Sequence, residues 1–407
     1  MIGPENRLPR ADPSRLLSAI QVEESCLELP LTRRIMERAG NLPLTVVAEG
    51  AGPGTDLAPY PQGLSQGKRL LHLGRNRGRF LKPCPATRNY RCCDYQVLNI
   101  GANCPMDCVY CILQAYLNNP WLSFYVNVED LFRELDQALE PTADREAATE
   151  PAGPTSQGEA ESGREQVADS RRRKFWRIGT GEFTDSMALD RLTGLSAQLI
   201  EYMAGRKNAV LELKSKAVVL DHLPELKHNG RTIMAWSLNS AEVMGKLELH
   251  CADLETRLEA AALCASWGYP LAFHFDPIIH HPGWEQSYAA TIRRLFAVVP
   301  ARSIAWISLG AFRFLPALRR VINSRFPNAN FIHEEFVPGL DNKFRYFRTL
   351  RVGMYQVLIK ELARHAAPNT CIYLCMENDP VWREVFGYTP EEKGGLPAML
   401  DAAAQRH

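Results

Sequence analysis

From Phe175 onward, short apolar runs alternate with amphipathic stretches, and this alternation constrains the fold more than any other feature. Trp176-Arg177-Ile178 precedes a helical stretch from Asp190 to about Met203. Val210–Leu213 precedes a predicted helix near Val218–Leu226, and Met234–Ser237 precedes one at Asp253–Trp267. Leu271–Phe275 is followed by a helix at Trp284–Val298, Ala305–Ser308 by one at Pro316–Asn323, and Ile372–Met376 is a late strand. About six β-α units in series argue for a parallel sheet with helices outside. The expected class is α/β, a full or partial (β/α) barrel over residues 90–330, with working groups at the C-terminal strand ends.

The flanks read differently. Residues 1–70 look like an irregular, Pro- and Gly-rich N-terminal extension with one short helix near Leu31–Ala39. Phe124–Val128 reads as a strand and Asp130–Leu139 as a helix. Residues 141–173 nearly lack large apolar side chains, so they read as a disordered insertion, ending in the basic run Arg171–Lys174. Residues 331–407 read as a helical and strand extension. With 46% hydrophobic residues and a net charge of +1, the chain is expected to be globular, without a global field for nucleic acid or membrane. No apolar run reaches the roughly 20 residues that a membrane span needs. The N-terminus has no apolar signal region. Eleven cysteines without an export signal point to a reducing cytoplasm, with thiols kept for metal or packing.

Three of those cysteines form Cys104-Pro105-Met106-Asp107-Cys108-Val109-Tyr110-Cys111, a C-x3-C-x2-C spacing after the strand-like run Tyr95–Ile100. Three such thiolates suit a [4Fe–4S] cluster and leave its fourth iron open to a small molecule. The strand ends are polar: Gly179–Ser186, Lys214-Ser215-Lys216, Ser237–Ser240, and His274-Phe275-Asp276 with His280 and His281. Each end is also readable as a helix cap, Thr184, Asp185 or Ser186 for the helix that follows. Zinc at His280, His281 and Asp276 is disfavoured, because adjacent histidines rarely share a metal. Cys92, Cys93, Cys371 and Cys375 lack the spacing of a second cluster and read as buried cysteines.

These residues resemble the radical S-adenosylmethionine superfamily, whose signature is the C-x3-C-x2-C motif with an aromatic residue before the last cysteine, here Tyr110. Cys108–Gln114, Phe183-Thr184-Asp185, Lys214-Ser215-Lys216 and Trp236–Asn239 extend the likeness to the spore photoproduct lyase family, over residues 90–330. The resemblance implies that Cys104, Cys108 and Cys111 ligate the cluster, and that Thr184, Lys216 and Ser237 contact S-adenosylmethionine. It implies reductive cleavage of that cofactor to a 5′-deoxyadenosyl radical that abstracts hydrogen from a substrate. An electron donor such as flavodoxin or ferredoxin would feed the cluster.

Two positions depart from the family. The lyase has a hydrogen-donor cysteine two residues before the position of Thr184, where this chain has Glu182. It also has a tyrosine directly after the last cluster cysteine, where this chain has Ile112, although Tyr110 remains. A carboxylate cannot donate a hydrogen atom as a thiol does. Glu182 is therefore expected either to bind or deprotonate a polar substrate with Asp276 and His274, or to pair with an Arg or Lys. Glu182, Tyr110 and Asp276 are the catalytic candidates. The substrate is unassigned, with nucleic acid one option. The second reading is a non-enzymatic iron–sulfur or DNA-binding protein on the same fold, with Arg345, Arg348 and Arg351 as phosphate contacts or as a solvated helix face.

Overall fold

The computed structural model describes residues 11–52, 57–85, 89–140 and 175–406. The expected disordered insertion and its basic run Arg171–Lys174 lie outside the described residues. The main sheet has eight strands: β1 (Leu81–Pro83), β2 (Gln96–Leu98), β3 (Trp176–Gly179), β4 (Ala209–Ser215), β5 (Thr232–Ser237), β6 (Leu271–Ile278), β7 (Ile304–Ala311) and β8 (Cys371–Leu374). They lie side by side in chain order, from β1 at one edge to β8 at the other. From β2 to β8 every pairing is parallel; only β1 runs antiparallel, to β2. The sheet is curled but open, so the barrel is a partial one.

The central strands are buried nearly throughout, β7 over its whole length, as a parallel sheet covered by helices requires. The helices Leu195–Ala204, Leu254–Ser266, Trp284–Val298 and Pro316–Arg325 fall where the amphipathic periodicity places them. The stretch Val218–Leu226 differs. It forms only a short 3-10 turn at Leu223–Glu225, because Pro224 lacks the N–H that a continuing helix needs.

The described residues of the N-terminal segment form regular structure, where an irregular extension was expected. The strands Ala19–Glu23, Leu44–Val47 and Leu70–Gly74 pair in parallel. The strand Leu122–Tyr125 joins them, paired in parallel with Leu70–Gly74, and Gly101–Ala102 completes a five-stranded sheet. The edge strand Leu44–Val47 is mostly exposed, so its sequence carries no inward-facing alternation to read. The helix Pro30–Ala39 forms as expected, burying Leu31 and Ile35. Beyond residue 331 come the helices Arg348–Leu362, Asp379–Phe386 and Leu396–Ala404. Among the described residues no helix is long and apolar enough to cross a membrane.

Candidate active site

A cavity of about 700 Å³ opens at the C-terminal ends of the strands. Cys104, Cys108 and Cys111 line it, together with Tyr110, Glu182, Thr184, Lys216, Ser237 and Asp276, so one space gathers the cluster, cofactor and catalytic candidates, although not His274.

The cysteine loop is held from several directions. Asn103 adopts a left-handed φ of 70°, and its side chain donates to the carbonyls of Pro120 at 2.9 Å and Trp121 at 3.2 Å. Its Oδ1 accepts from the Cys104 amide at 2.9 Å. The short strand Asp107–Cys108 pairs antiparallel with Glu248–Leu249. Gln114 Nε2 donates to the carbonyls of Cys108, Val109 and Cys111 at 3.0–3.3 Å. Asp107 accepts from Ser65 at 2.9 Å and pairs with Lys68 at 3.1 Å. Lys68 also donates to the Met106 carbonyl at 2.6 Å. Burial pushes the Lys68 ammonium toward neutrality, but the charges of Asp107, Cys111 and Cys104 outweigh it and hold the proton.

On the opposite wall, Asp185 organises the end of β4. Its carboxylate accepts from the amides of Met187 and Ala188, from Ser215 Oγ at 2.7 Å and from the Lys216 amide at 2.8 Å. This is a side-chain-to-backbone turn and not the expected helix cap: the next helix, Asp190–Thr193, begins after Leu189 with no side-chain cap. Thr184 is left lining the cavity beside it. The Lys216 ammonium lies 5.5 Å from the centre of the Tyr110 ring, and Glu248 and Cys108 keep it charged against the effect of burial.

Three sequence assignments change character here. The Tyr110 hydroxyl donates to Glu248, which also takes Arg257 at 2.5 Å in a fully buried pair. Its hydroxyl is thus engaged behind the cavity wall. Asp276 is held by Arg313 through two contacts at 3.0 and 3.1 Å. Gly310 permits this, since a Cβ there would come within 2.6 Å of the Asp276 carboxylate. His274 does not join them. It bonds Glu212 at 2.8 Å and Ser308 at 2.7 Å inside the sheet.

Glu182 faces the cavity, and its charge helps to keep the buried Lys214 ammonium charged. Near Glu182 stands a thiol that no motif marks, Cys84, directly after β1 and also lining the cavity. Burial, then the charge of Glu182, push the Cys84 thiol upward and keep it protonated. Cys93 and Cys375 lie close enough to act on it in the same direction.

Other expectations resolve plainly. His280 pairs with Glu334 at 2.9 Å, while His281 contacts Ser240 at 2.9 Å. Among the described residues no three His, Cys, Asp or Glu side chains are grouped around a single ion position, and Asp276, His280 and His281 each engage a separate partner. Arg345 pairs with Asp341, Arg351 with Glu377 at 2.9 Å and Arg348 with Glu384. Arg345 and Arg351 are buried, so these arginines form neither a set of phosphate contacts nor a solvated face.

The donor set fits an iron–sulfur cluster. Each iron of a cubane takes its own thiolate, so the three sulfurs need not share one ion's coordination sphere. Cys104, Cys108 and Cys111 line one wall, and the buried ammonium groups of Lys68 and Lys216 lie where they offset thiolate charge.

Comparison with known proteins agrees. A family model described as spore photoproduct lyase matches residues 159–358. The chain is 25% identical to the spore photoproduct lyase of Bacillus subtilis (strain 168) over 353 residues, covering 85% of this chain and 91% of that protein. It is 22% identical over 312 residues to the Clostridium acetobutylicum lyase, covering 75% and 81%. Among solved structures, a spore photoproduct lyase complexed with dinucleoside spore photoproduct superimposes with a TM-score of 0.71 at 20% identity, covering 88% of this chain and 99% of that one. A mutant lyase with bound AdoMet and dinucleoside spore photoproduct gives 0.72 at the same identity and covers 88% and 98%. The chain is thus similar in sequence to the spore photoproduct lyase family of radical S-adenosylmethionine enzymes, and it shares the fold of the solved lyases.

Proposed function

We propose that this enzyme repairs a thymine lesion of the spore photoproduct class in DNA, with Cys84 as its hydrogen-atom donor. The observation that carries the reading is a thiol held protonated in the same cavity as Cys104, Cys108 and Cys111, near Glu182. Solved relatives bind the dinucleoside form of that lesion. A base inside a duplex cannot reach a recessed cavity, so the lesion would be extruded into it.

The cluster and S-adenosylmethionine, when bound, supply the radical that abstracts hydrogen from the substrate. Cys104, Cys108 and Cys111 hold the cluster; Thr184, Lys216 and Ser237 contact the cofactor. Glu182 and Lys214 present a polar wall to the base edges, and Asp276 with Arg313 closes the other side. Cys84 then completes the product. Its S–H bond breaks homolytically, the hydrogen atom passes to the product's carbon radical, and a thiyl radical stays on sulfur. One electron and one proton restore the thiol, the electron coming from a low-potential donor of the flavodoxin or ferredoxin class in the cytoplasm.

The test is turnover of dinucleoside spore photoproduct by anaerobically reconstituted protein in D₂O, where a thiol carries deuterium. The expected wild-type product is repaired dinucleotide with one solvent-derived deuterium, and Cys84→Ala is expected to lose it. A Cys104→Ala control should give no cleavage of S-adenosylmethionine. Absence of product, or deuterium retained in Cys84→Ala, would defeat the proposal.

A further inference from the structure

Cys251 lies outside every motif read from the sequence, yet its Sγ is 3.4 Å from Cys108 Sγ. The backbone fixes this proximity from both sides. Glu248 pairs with Cys108 and Leu249 with Asp107 in one antiparallel register. The Val109 amide donates to the Leu247 carbonyl at 2.8 Å, and the Ala252 amide to the Lys216 carbonyl at 3.0 Å. Cys108 lines the cavity and Cys251 does not, so Cys251 approaches Cys108 from behind. There it packs against the small apolar group of Met106, Ala188 and Ala217. Two sulfurs this close cannot both carry full negative charge without strong repulsion in a buried setting. At 3.4 Å the pair is within S–H···S hydrogen-bond distance, and Cys251, which lies outside the ligand motif, is placed to be the donor.

We propose that Cys251 is a positioning residue that donates an S–H···S hydrogen bond to the Cys108 thiolate and thereby raises the reduction potential of the cluster. This rests on Cys108 being a cluster ligand. Hydrogen bonds to ligand sulfurs stabilise the more negative, reduced cluster and are one of the protein's principal controls on potential. The reduced state gains more from the bond than the oxidised state because it places more charge on sulfur.

The test uses full-length protein reconstituted anaerobically, without S-adenosylmethionine, and reads the midpoint potential by electron paramagnetic resonance during a redox titration. Cys251→Ala should load iron and sulfide as the wild type does, with a more negative midpoint. Cys251→Ser retains a donor and should return the midpoint toward the wild-type value. An unchanged midpoint in Cys251→Ala, or equal shifts in the Ala and Ser variants, would overturn the proposal in favour of simple packing. Failure of both variants to load a cluster would also overturn it, giving Cys251 a part in holding the cluster instead. If Cys108→Ala keeps its full iron content, the fault lies with the ligand assignment.

Discussion

Arg325 donates to the Asp107 carboxylate at 2.6 Å, tying the helix Pro316–Arg325 to the cysteine loop. Lys68, from the N-terminal segment, meets the same carboxylate at 3.1 Å, and all three side chains are at most 8% exposed. The loop that carries Cys104, Cys108 and Cys111 is thus anchored to both the barrel and the N-terminal sheet. Asp107→Ala would leave two buried cations unpaired, a loss of about 3–5 kcal/mol. The expected result is a lower thermal unfolding midpoint and reduced iron loading. An Asp107→Ala protein as stable and as iron-replete as the wild type would show that the anchor contributes little.

The pair Glu212–His274 lies in the sheet beneath the cavity and gives the enzyme an acid-sensitive element. Burial pushes the Glu212 carboxyl up, but His274 beside it prevails and holds it at about 2, below its ordinary 4.5. A depressed carboxylate stabilises the fold above its unfolded value and loses that contribution as pH falls through the folded value. The contribution is on the order of 3 kcal/mol, present above about pH 4.5 and fading toward pH 2. Glu212→Gln should therefore show a shallower loss of stability between pH 5 and pH 3 in denaturant titrations. Equal slopes for the two proteins would refute the assignment.

Tyr110 offers a clean separation of structural and catalytic roles. Its hydroxyl bonds Glu248, and Glu248 is shared with the buried Arg257. Tyr110→Phe removes one donor from a carboxylate that keeps another, at a cost of about 1–3 kcal/mol. We expect a modestly less stable protein whose cleavage of S-adenosylmethionine stays within a few-fold of wild type. A hundredfold drop in cleavage at unchanged stability would instead give the hydroxyl a catalytic part.

What could be read from the sequence was whatever repeats or clusters locally. The parallel strands of the main sheet announce themselves by short apolar runs, and they lie in that sheet in their order along the chain, so serial reading sufficed there but missed the parallel strands of the N-terminal sheet. Cys104, Cys108 and Cys111 sit within eight residues, and their spacing carries their chemistry. Cys84, Lys68 and Cys251 carry no comparable signal. Cys84 reaches the cavity because β1 pairs with β2, Lys68 because the N-terminal sheet packs against the loop, and Cys251 because Glu248 pairs with Cys108. Such pairings between distant segments leave no local period to find. The same limit explains His274, whose place at a strand end suggested the cavity while its ring is spent on Glu212 and Ser308.

Glu182 and Cys84 together make a swap experiment informative. Both line the cavity, and the charge of Glu182 acts on the Cys84 thiol. The related lyase's donor thiol would stand where Glu182 is, so a thiol there is a second route to the same product radical. In a Cys84→Ala background, Glu182→Cys should restore formation of deuterium-labelled product in D₂O, while Glu182→Gln should not. Substituting Glu182 alone should leave Cys84 as donor and change mainly the affinity for substrate, read as a larger effect on KM than on kcat. Recovery with Glu182→Gln would mean that carboxylate charge, and not the missing thiol, limits the Cys84→Ala enzyme. Failure of Glu182→Cys to restore product in a correctly folded, cluster-loaded variant would place the substrate radical out of reach of that wall and confine hydrogen delivery to the Cys84 side.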